Sequence, residues 1–373
     1  MNYDIVIIGA GIAGLSNAFF LSNKGYKIAL VDRRIDLLNL NFQTLGSFLD
    51  YKKYGFSDKV VASPIKECIF HSNHLKVHKK IFTENPVNIL NKRQIHHELL
   101  EKIKQDKNIN ILSSTTIQEI NASDGKVNYL TTSNNENISA NIYIDCSGIT
   151  GIISKEFGLM PVTESVCTGL EYNVKYLGDP QAAYLLYGNI YMGGYGWIFP
   201  LGNQRAIFGI GSFNNKVRSE LKKRLDLVIE EQFSEIVVKD NDKLEGGTIP
   251  LTKPITQFIK GNVICIGDSV SNVNPLVGEG YRFIIESSEL ASGYIIESLK
   301  KNDLSILEKY NLEWKKKYLK NYIRAKKLQK VAELGSKVGF IGDFLIFILS
   351  TKRSKTITNL MKSDISKRDL FLP

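Results

Sequence analysis

The chain opens Met1-Asn-Tyr-Asp-Ile-Val-Ile-Ile-Gly9-Ala10-Gly11-Ile-Ala13-Gly14 and continues to Val31-Asp32. Tyr3 to Ile8 is a short apolar run of the kind that a buried parallel strand requires. Gly9, Gly11 and Gly14 then fall at GxGxxG spacing. Ala13 to Lys24 carries apolar residues at helical intervals, with Gly25 placed as a helix C-cap. Lys27 to Val31 reads as a second strand ending on Asp32. Each glycine meets a distinct physical need. Gly9 allows the tight turn, Gly11 lets backbone approach a pyrophosphate, and Gly14 lets helix pack on strand. The free N–H groups and positive dipole end of that helix suit phosphate. An acid at position 32 suits a ribose hydroxyl. The order strand, turn, helix, strand, acid therefore predicts a dinucleotide site, and this stretch alone leaves NAD and FAD both open.

At 373 residues, 43% apolar and 23% charged, the chain has the composition of a globular protein and the length for two domains or for one large domain with an insertion. No stretch approaches the ~20 apolar residues of a membrane span. The N-terminus enters a strand directly, so no secretory signal is expected. Cys68, Cys146, Cys167 and Cys265 are scattered, which fits reduced, buried thiols in a cytoplasmic protein. His71, His74, His78, His96 and His97 cluster in sequence without Cys or carboxylate at ligand spacing, so they read as surface or structural residues and no metal is expected. The net charge of +10 is regional. From residue 301 onward there are 17 Lys+Arg against 7 Asp+Glu, while residues 1–300 balance. No nucleic-acid recognition motif accompanies this basic region.

Two further glycine-bearing blocks follow. Ile142-Tyr-Ile-Asp145-Cys-Ser-Gly148 is a short strand ending on an acid and a glycine. Asn262-Val-Ile-Cys-Ile-Gly267-Asp268 is a buried strand followed by Pro275, Gly278, Glu279 and Gly280, and then by a helix over Tyr281 to Leu299. The acid suits a ribityl hydroxyl, and the Gly278/Gly280 turn suits backbone amides facing a ring system. FAD needs this second site and NAD does not. Between the blocks, Asn91-Lys92-Arg93 precedes a helix over Gln94 to Lys104. Strand patterns occupy 109–112, 116–121, 126–131 and 137–141. Glycine-punctuated alternation from Gly169 to Phe213 predicts antiparallel strands.

With these residues in hand, the chain resembles the FAD-dependent group-2 oxidoreductases built like p-hydroxybenzoate hydroxylase, over roughly residues 1–300. Within them, Tyr195-Gly-Trp197-Ile-Phe199-Pro200 is similar to the Tyr-x-Trp-x-Phe-Pro motif of the geranylgeranyl reductase family. Asn274-Pro275-Leu-Val-Gly278-Glu279-Gly280 is similar to that family's flavin block. The resemblance implies an α/β fold with three parts. A Rossmann-like FAD-binding domain would comprise 1–64, 86–162 and 252–300. An antiparallel-sheet substrate domain would comprise 65–85 and 163–251, and a basic helical region 301–373. It implies an FAD-dependent reductase of isoprenoid C=C bonds. Gly9, Ala10, Gly11, Ala13, Gly14, Asp32, Arg33, Arg93, Gly267, Asp268, Pro275, Gly278, Glu279 and Gly280 would hold the cofactor. Tyr195, Trp197 and Phe199 would line a prenyl tunnel, with Tyr195 and Glu279 the nearest titratable candidates for proton transfer. Family members commonly have Glu at the position of Asp32, and many carry a cysteine in the segment corresponding to Leu40–Phe48, which here has none.

No second GxGxxG follows a strand, so electrons are expected from ferredoxin, a quinol or transiently bound NAD(P)H. Flavin monooxygenases and lycopene-cyclase-like proteins share the same three blocks and are the alternatives. Leu304 to Leu334 is a helical stretch with Lys315-Lys-Lys317, and Val338 to Leu349 is strongly apolar with Lys352-Arg353 behind it. Such a pair suits peripheral contact with anionic lipid at the inner face of a membrane. It equally suits a buried helix with a solvated basic neighbour.

Overall fold

Four consecutive buried side chains, Ile5 to Ile8, place the strand Asn2–Ile8 at the centre of a sheet covered on both faces. The strand order is Ile259–Lys260, Val263–Cys265, Asn137–Asp145, Asn2–Ile8, Ile28–Val31, Ile109–Leu112. Every pair is parallel except the first. The computed structural model describes all residues but 42–43, 73, 81–86, 161–165, 192, 214–219, 242, 252–254, 365 and 367–373.

The first helix is Ile12–Leu21, ending three residues before its apolar pattern does. Ser22 Oγ donates to the Phe19 carbonyl at 2.7 Å, and Asn23 N donates to Asp106 Oδ2 at 2.6 Å. Those bonds turn the chain before Gly25, which supplies a positive φ further on. Residues 137–145 form one nine-residue strand rather than a meander strand followed by a separate one. Asn137 and Ile138 pair with the antiparallel strand Lys126–Thr132, and Tyr143 to Asp145 pair with Val263–Cys265.

A second eight-stranded sheet holds Val237–Val238, Val166–Tyr176, Arg205–Ser212, Tyr195–Gly202, Ala182–Leu186, Glu67–His71 and Lys76–Lys80 in that order, with Leu244–Pro250 also on Val166–Tyr176. It is antiparallel apart from Ala182–Leu186 beside Glu67–His71, which run parallel. A third sheet, not evident from the sequence, joins Thr44–Ser47, Val87–Asn91 and Val61–Ile65. The sequence over Ile65 to Phe82 suggests short strands forming a hairpin; Glu67–His71 and Lys76–Lys80 pair antiparallel in this way, and residues 81–82 of that pattern lie outside the described residues.

The helix Tyr281–Lys301 packs on Ile12–Leu21, with Asn17 Nδ2 donating to Ser288 Oγ at 3.0 Å. Beyond it the sequence suggests one long helix, but the chain forms Glu308–Trp314, a π-type turn over Lys315–Leu319, and Lys320–Lys337. The inward face of this segment is aromatic. Tyr310, Trp314, Tyr318 and Tyr322 are buried against Phe258 and Phe283, with Trp314 and Phe258 ring centroids 4.7 Å apart. Trp314 Nε1 donates to Ser287 Oγ at 3.1 Å. The basic cluster is thus the outer face of a core element. Trp314→Ala is expected to cost about 3–5 kcal/mol of unfolding free energy, measured by chemical denaturation. A change near zero would mean that residues 308–322 do not belong to the folded core.

Candidate functional site

The GxGxxG turn closes so tightly that side chains are excluded. Gly9 adopts φ +97° and donates its N–H to the Val31 carbonyl at 2.7 Å. A methyl group at Gly14 would lie 1.8 Å from the Gly9 carbonyl oxygen, whereas at Gly11 it would meet nothing within 4 Å. Gly11 therefore faces open space at the start of Ile12–Leu21. That helix has no side-chain cap and no acid in its first turn, so its leading amides remain available to an anion. Gly267, at φ +87°, reaches the same place from the far end of the sequence. A methyl there would lie 2.9 Å from Ala13 Cβ.

Asp32 is buried and closes the turn from beneath. Its Oδ2 accepts from Ala10 N at 2.6 Å, and its Oδ1 accepts from Arg34 N and Nε at 2.8 and 2.9 Å. Burial pushes the Asp32 carboxyl up, but these hydrogen bonds and the Arg34 charge outweigh it and hold the group below the usual carboxylate range. Arg34 is the engaged arginine, and Arg33 is exposed. Asp145 is occupied within its own segment, accepting from Ser147 N and Oγ and from the backbone N–H groups of Ile153 and Ser154.

At the start of the helix Lys92–Lys104 the structure also selects the neighbour of the expected residue. Arg93 is exposed, while Lys92 turns inward and sets its Nζ 5.5 Å from the Tyr281 ring centroid. Burial lowers the Lys92 ammonium to about 8, opposed by the nearby carboxylates of Glu171, Asp268 and Glu245. Burial likewise raises Asp268 to about 6, with Lys92 pulling it down. Lys92 thus sits electrically between the Gly267-Asp268 block and the second sheet.

On the strand Tyr195–Gly202 the half-buried Tyr195, Trp197 and Phe199 alternate with buried Gly196, Ile198 and Pro200. The three rings share one face, with centroids 5.8 and 6.3 Å apart in succession. Tyr195 OH donates to the Val277 carbonyl at 2.7 Å, which fixes the aromatic wall to the turn between buried Pro275 and Gly278, itself at φ +70°. Gly280 precedes the helix Tyr281–Lys301 without a side-chain cap. Glu279 does not cap that helix either. It is buried, accepts from Ser47 Oγ at 2.6 Å and Phe48 N at 3.1 Å, and pairs with Arg282 at 3.1 Å. Beside this turn lies a cavity of about 570 Å³, its open mouth included, lined chiefly by apolar residues such as Phe48, Ile65, Ile89, Leu185, Phe199 and Met361.

Residues 2–317 match the FAD binding domain family. The chain belongs to that family. The flavoprotein is also similar to two archaeal enzymes named digeranylgeranylglycerophospholipid reductase. One, from Methanothermobacter thermautotrophicus, is 23% identical over 97% of this chain and 94% of its own length. The other, from Methanopyrus kandleri, is 25% identical over 85% and 87%. Among solved structures, a geranylgeranyl bacteriochlorophyll reductase-like protein from Thermoplasma acidophilum superposes with TM-score 0.86 at 20% identity, over 97% of this chain and 95% of that one. PqsL, a probable FAD-dependent monooxygenase from Pseudomonas aeruginosa, superposes with TM-score 0.72 at 14% identity, over 93% and 100%. These solved structures share the fold.

The turn geometry fits FAD. Gly11 leaves open space at the helix N-terminus, and Gly267, next to Asp268, closes on Ala13 from the other side. The sequence carries a signal for Lys92 over Arg93. Lys92, Ile95, His96 and Leu99 lie on one helical face, and that face is buried at the last three. Glu171 carried only a faint signal, the one acid in the strand Val166–Tyr176. Replacing Lys92 by Ala is expected to weaken FAD binding about 10- to 100-fold, as loss of one charge-assisted contact does, while Arg93→Ala leaves it within about twofold. Fluorescence titration of the apoprotein with FAD decides between them, and equal losses would place both side chains on the cofactor.

Proposed function

We propose that this flavoprotein saturates the C=C bonds of geranylgeranyl chains on membrane lipids or prenyl diphosphates. The cavity carries the reading. A prenyl chain offers only apolar surface, so its recognition rests on burial and shape, and the cavity supplies both between the Val277–Gly278 turn and the C-terminal helix Ser354–Lys362. The names of the archaeal relatives support the same substrate class. Gly9, Gly11, Gly14 and Asp32 would hold the adenosine diphosphate half of FAD, with Lys92 and Asp268 along the pyrophosphate and ribityl chain. Tyr195, Trp197 and Phe199 would form the wall along which the prenyl chain lies.

Bound FAD, once reduced, supplies hydride to the double bond. The chain contributes position and dryness. Tyr195 holds the wall against the flavin-side turn, and the Glu279–Arg282 pair holds that turn against Ser47 and Phe48. Arg282 Nη2 also donates to the Lys362 carbonyl at 2.7 Å, which ties the last helix over the cavity that Met361 lines. Water excluded in this way cannot compete at the reacting carbons.

Lipid access favours the membrane-surface reading of the C-terminal region. No described helix is long and apolar enough to cross a membrane. The helix Gly339–Thr351 turns Ile346 into the core near Cys68 and Phe70, yet exposes Phe340, Phe344 and Phe347 by 76%, 58% and 55%. Val331 and Leu334 of the preceding helix are exposed as well, and Lys352, Arg353 and Lys355 follow. Exposed phenylalanines beside cations are the pattern of a helix lying in a lipid interface.

Dithionite-reduced protein incubated anaerobically with a geranylgeranyl lipid is expected to yield products heavier by units of two hydrogens in mass spectrometry. An isomer of unchanged mass would point to a cyclase, and a product that forms only when oxygen is admitted, heavier by one oxygen, to a monooxygenase. Replacing Phe340, Phe344 and Phe347 together by Ser should reduce co-sedimentation with anionic vesicles by about tenfold or more while leaving the melting temperature unchanged. Undiminished vesicle binding would refute the interfacial role of that helix.

A further inference from the structure

Saturating an alkene requires a proton as well as a hydride, and the titratable groups nearest the cavity hold theirs poorly for that purpose. The Tyr195 hydroxyl donates to Val277 O, and burial pushes its phenol well up. Glu279 accepts from Ser47, Phe48 and Arg282. Cys68 also lines the cavity, but burial pushes its thiol well up.

The second sheet brings a different acid to the aromatic wall. Trp197 pairs across the sheet with Gly209, Gly209 with Glu171, and Glu171 with Glu245. The row therefore lies on the face that carries Tyr195 and Phe199. Gly209 makes this possible, because a methyl there would lie 2.2 Å from the Trp197 ring. The indole crosses the glycine and donates Nε1–H to Glu171 Oε2 at 3.3 Å. Glu171 is 3% exposed, and its other oxygen, Oε1, is buried without a hydrogen-bond partner. Two carboxylates directly opposite on neighbouring strands repel when both are ionised. Glu245 is the more exposed and pairs with Lys243 at 3.2 Å, so the proton belongs on Glu171. Burial pushes the Glu171 carboxyl up to about 8, with Lys92 and the Trp197 N–H pulling down and Glu245 pushing further up.

We propose that Glu171 is the proton donor of the reduction, delivering its carboxyl proton, at the Trp197 edge of the aromatic wall, to the alkene carbon that does not receive hydride. This rests on the reductase reading of the same site. Hydride adds to one carbon as the π bond breaks, and the π electron pair takes the Glu171 proton to form the second C–H bond. FAD, when bound and reduced, would supply the hydride, and ferredoxin, a quinol or NAD(P)H would restore its two electrons. Glu171 is left as a carboxylate beside the Lys92 ammonium and the Trp197 N–H, both of which favour that form. Solvent returns the proton by way of Glu245. Two environments that drive facing carboxyls apart in this manner mark an acid and its reloading partner.

The sign of the pH dependence follows from the direction of the shift. The donor is loaded below about 8, so product formation falls as pH rises through that value, with Lys92 and Glu245 the charged groups that face it. Folding also takes up a proton at Glu171 between its ordinary carboxylate value and about 8, so this group's contribution to stability declines as pH rises across that window.

The test uses the FAD-loaded full chain and its Glu171→Gln variant, which keeps an acceptor for Trp197. The expected results are an infrared band of a protonated carboxylic acid at neutral pH that is present in the wild type and absent from E171Q, and at least about a 100-fold loss of saturated product in E171Q. FAD content and dithionite reduction of the flavin should be unchanged, and Glu171→Asp should recover part of the activity. Should E171Q fail to fold, the wild-type infrared band and its loss above about pH 8 decide the matter. A wild type without that band, or an E171Q variant with full turnover, overturns the donor assignment. A wild type that leaves every geranylgeranyl lipid unchanged while showing the band overturns the reductase reading and the proposal resting on it.

Discussion

The whole site depends on one close approach, between the helix Ile12–Leu21 and the parallel sheet. The Gly9 carbonyl sits where a side chain on Gly14 would need to be, and Gly267 sits within reach of Ala13 Cβ. Backbone contact at this distance is available only to glycine and alanine. It brings two strand ends far apart in sequence to a single helix N-terminus, so that one set of free amides serves both. The cradle at Gly11 and the acid at Asp268 are consequences of that packing.

A second theme is charge placed where solvent is scarce. Lys92, Asp268 and Glu171 come from three different elements, and burial pushes each away from its ordinary protonation range. Their mutual attraction offsets part of that cost, so the groups depend on one another. Asp32 shows the opposite balance, since Arg34 and the Ala10 amide hold it ionised. Glu171 keeps one buried oxygen without a hydrogen-bond partner, whereas both carboxylate oxygens of Asp32 are engaged. The cavity beyond is apolar, and its polar members, Tyr195 and Glu279, are fixed to the protein itself.

The C-terminal region joins these two themes to the surface. Its first half contributes Trp314 and three tyrosines to the core, and its second half covers the cavity with Met361 while showing three phenylalanines outward. The segment Leu40–Phe48, which lacks a cysteine, places Gly46 on the cavity wall near Phe199. A methyl group at Gly46 would already touch the Phe199 ring at 3.4 Å.

Local chemistry made the first block legible. A GxGxxG turn between an apolar strand and a helix has few conformations, and the positive φ of Gly9 follows from sequence spacing alone. Alternation along Tyr195–Gly202 likewise put three aromatics on one face, because the strand period is two. The helix phase of Lys92–Lys104 was written in the sequence too, yet choosing Lys92 over Arg93 required knowing which face was buried. What the sequence determined by itself was the FAD cradle, the aromatic row and the basic C-terminal fifth, all set by neighbours within one element. Only tertiary structure decided that Glu171 faces Glu245 and Trp197, that Glu279 bonds to Ser47 instead of capping its own helix, and that Arg34 closes on Asp32. Those outcomes turn on burial and on pairing between strands distant in sequence, and neither quantity exists until the sheets have formed.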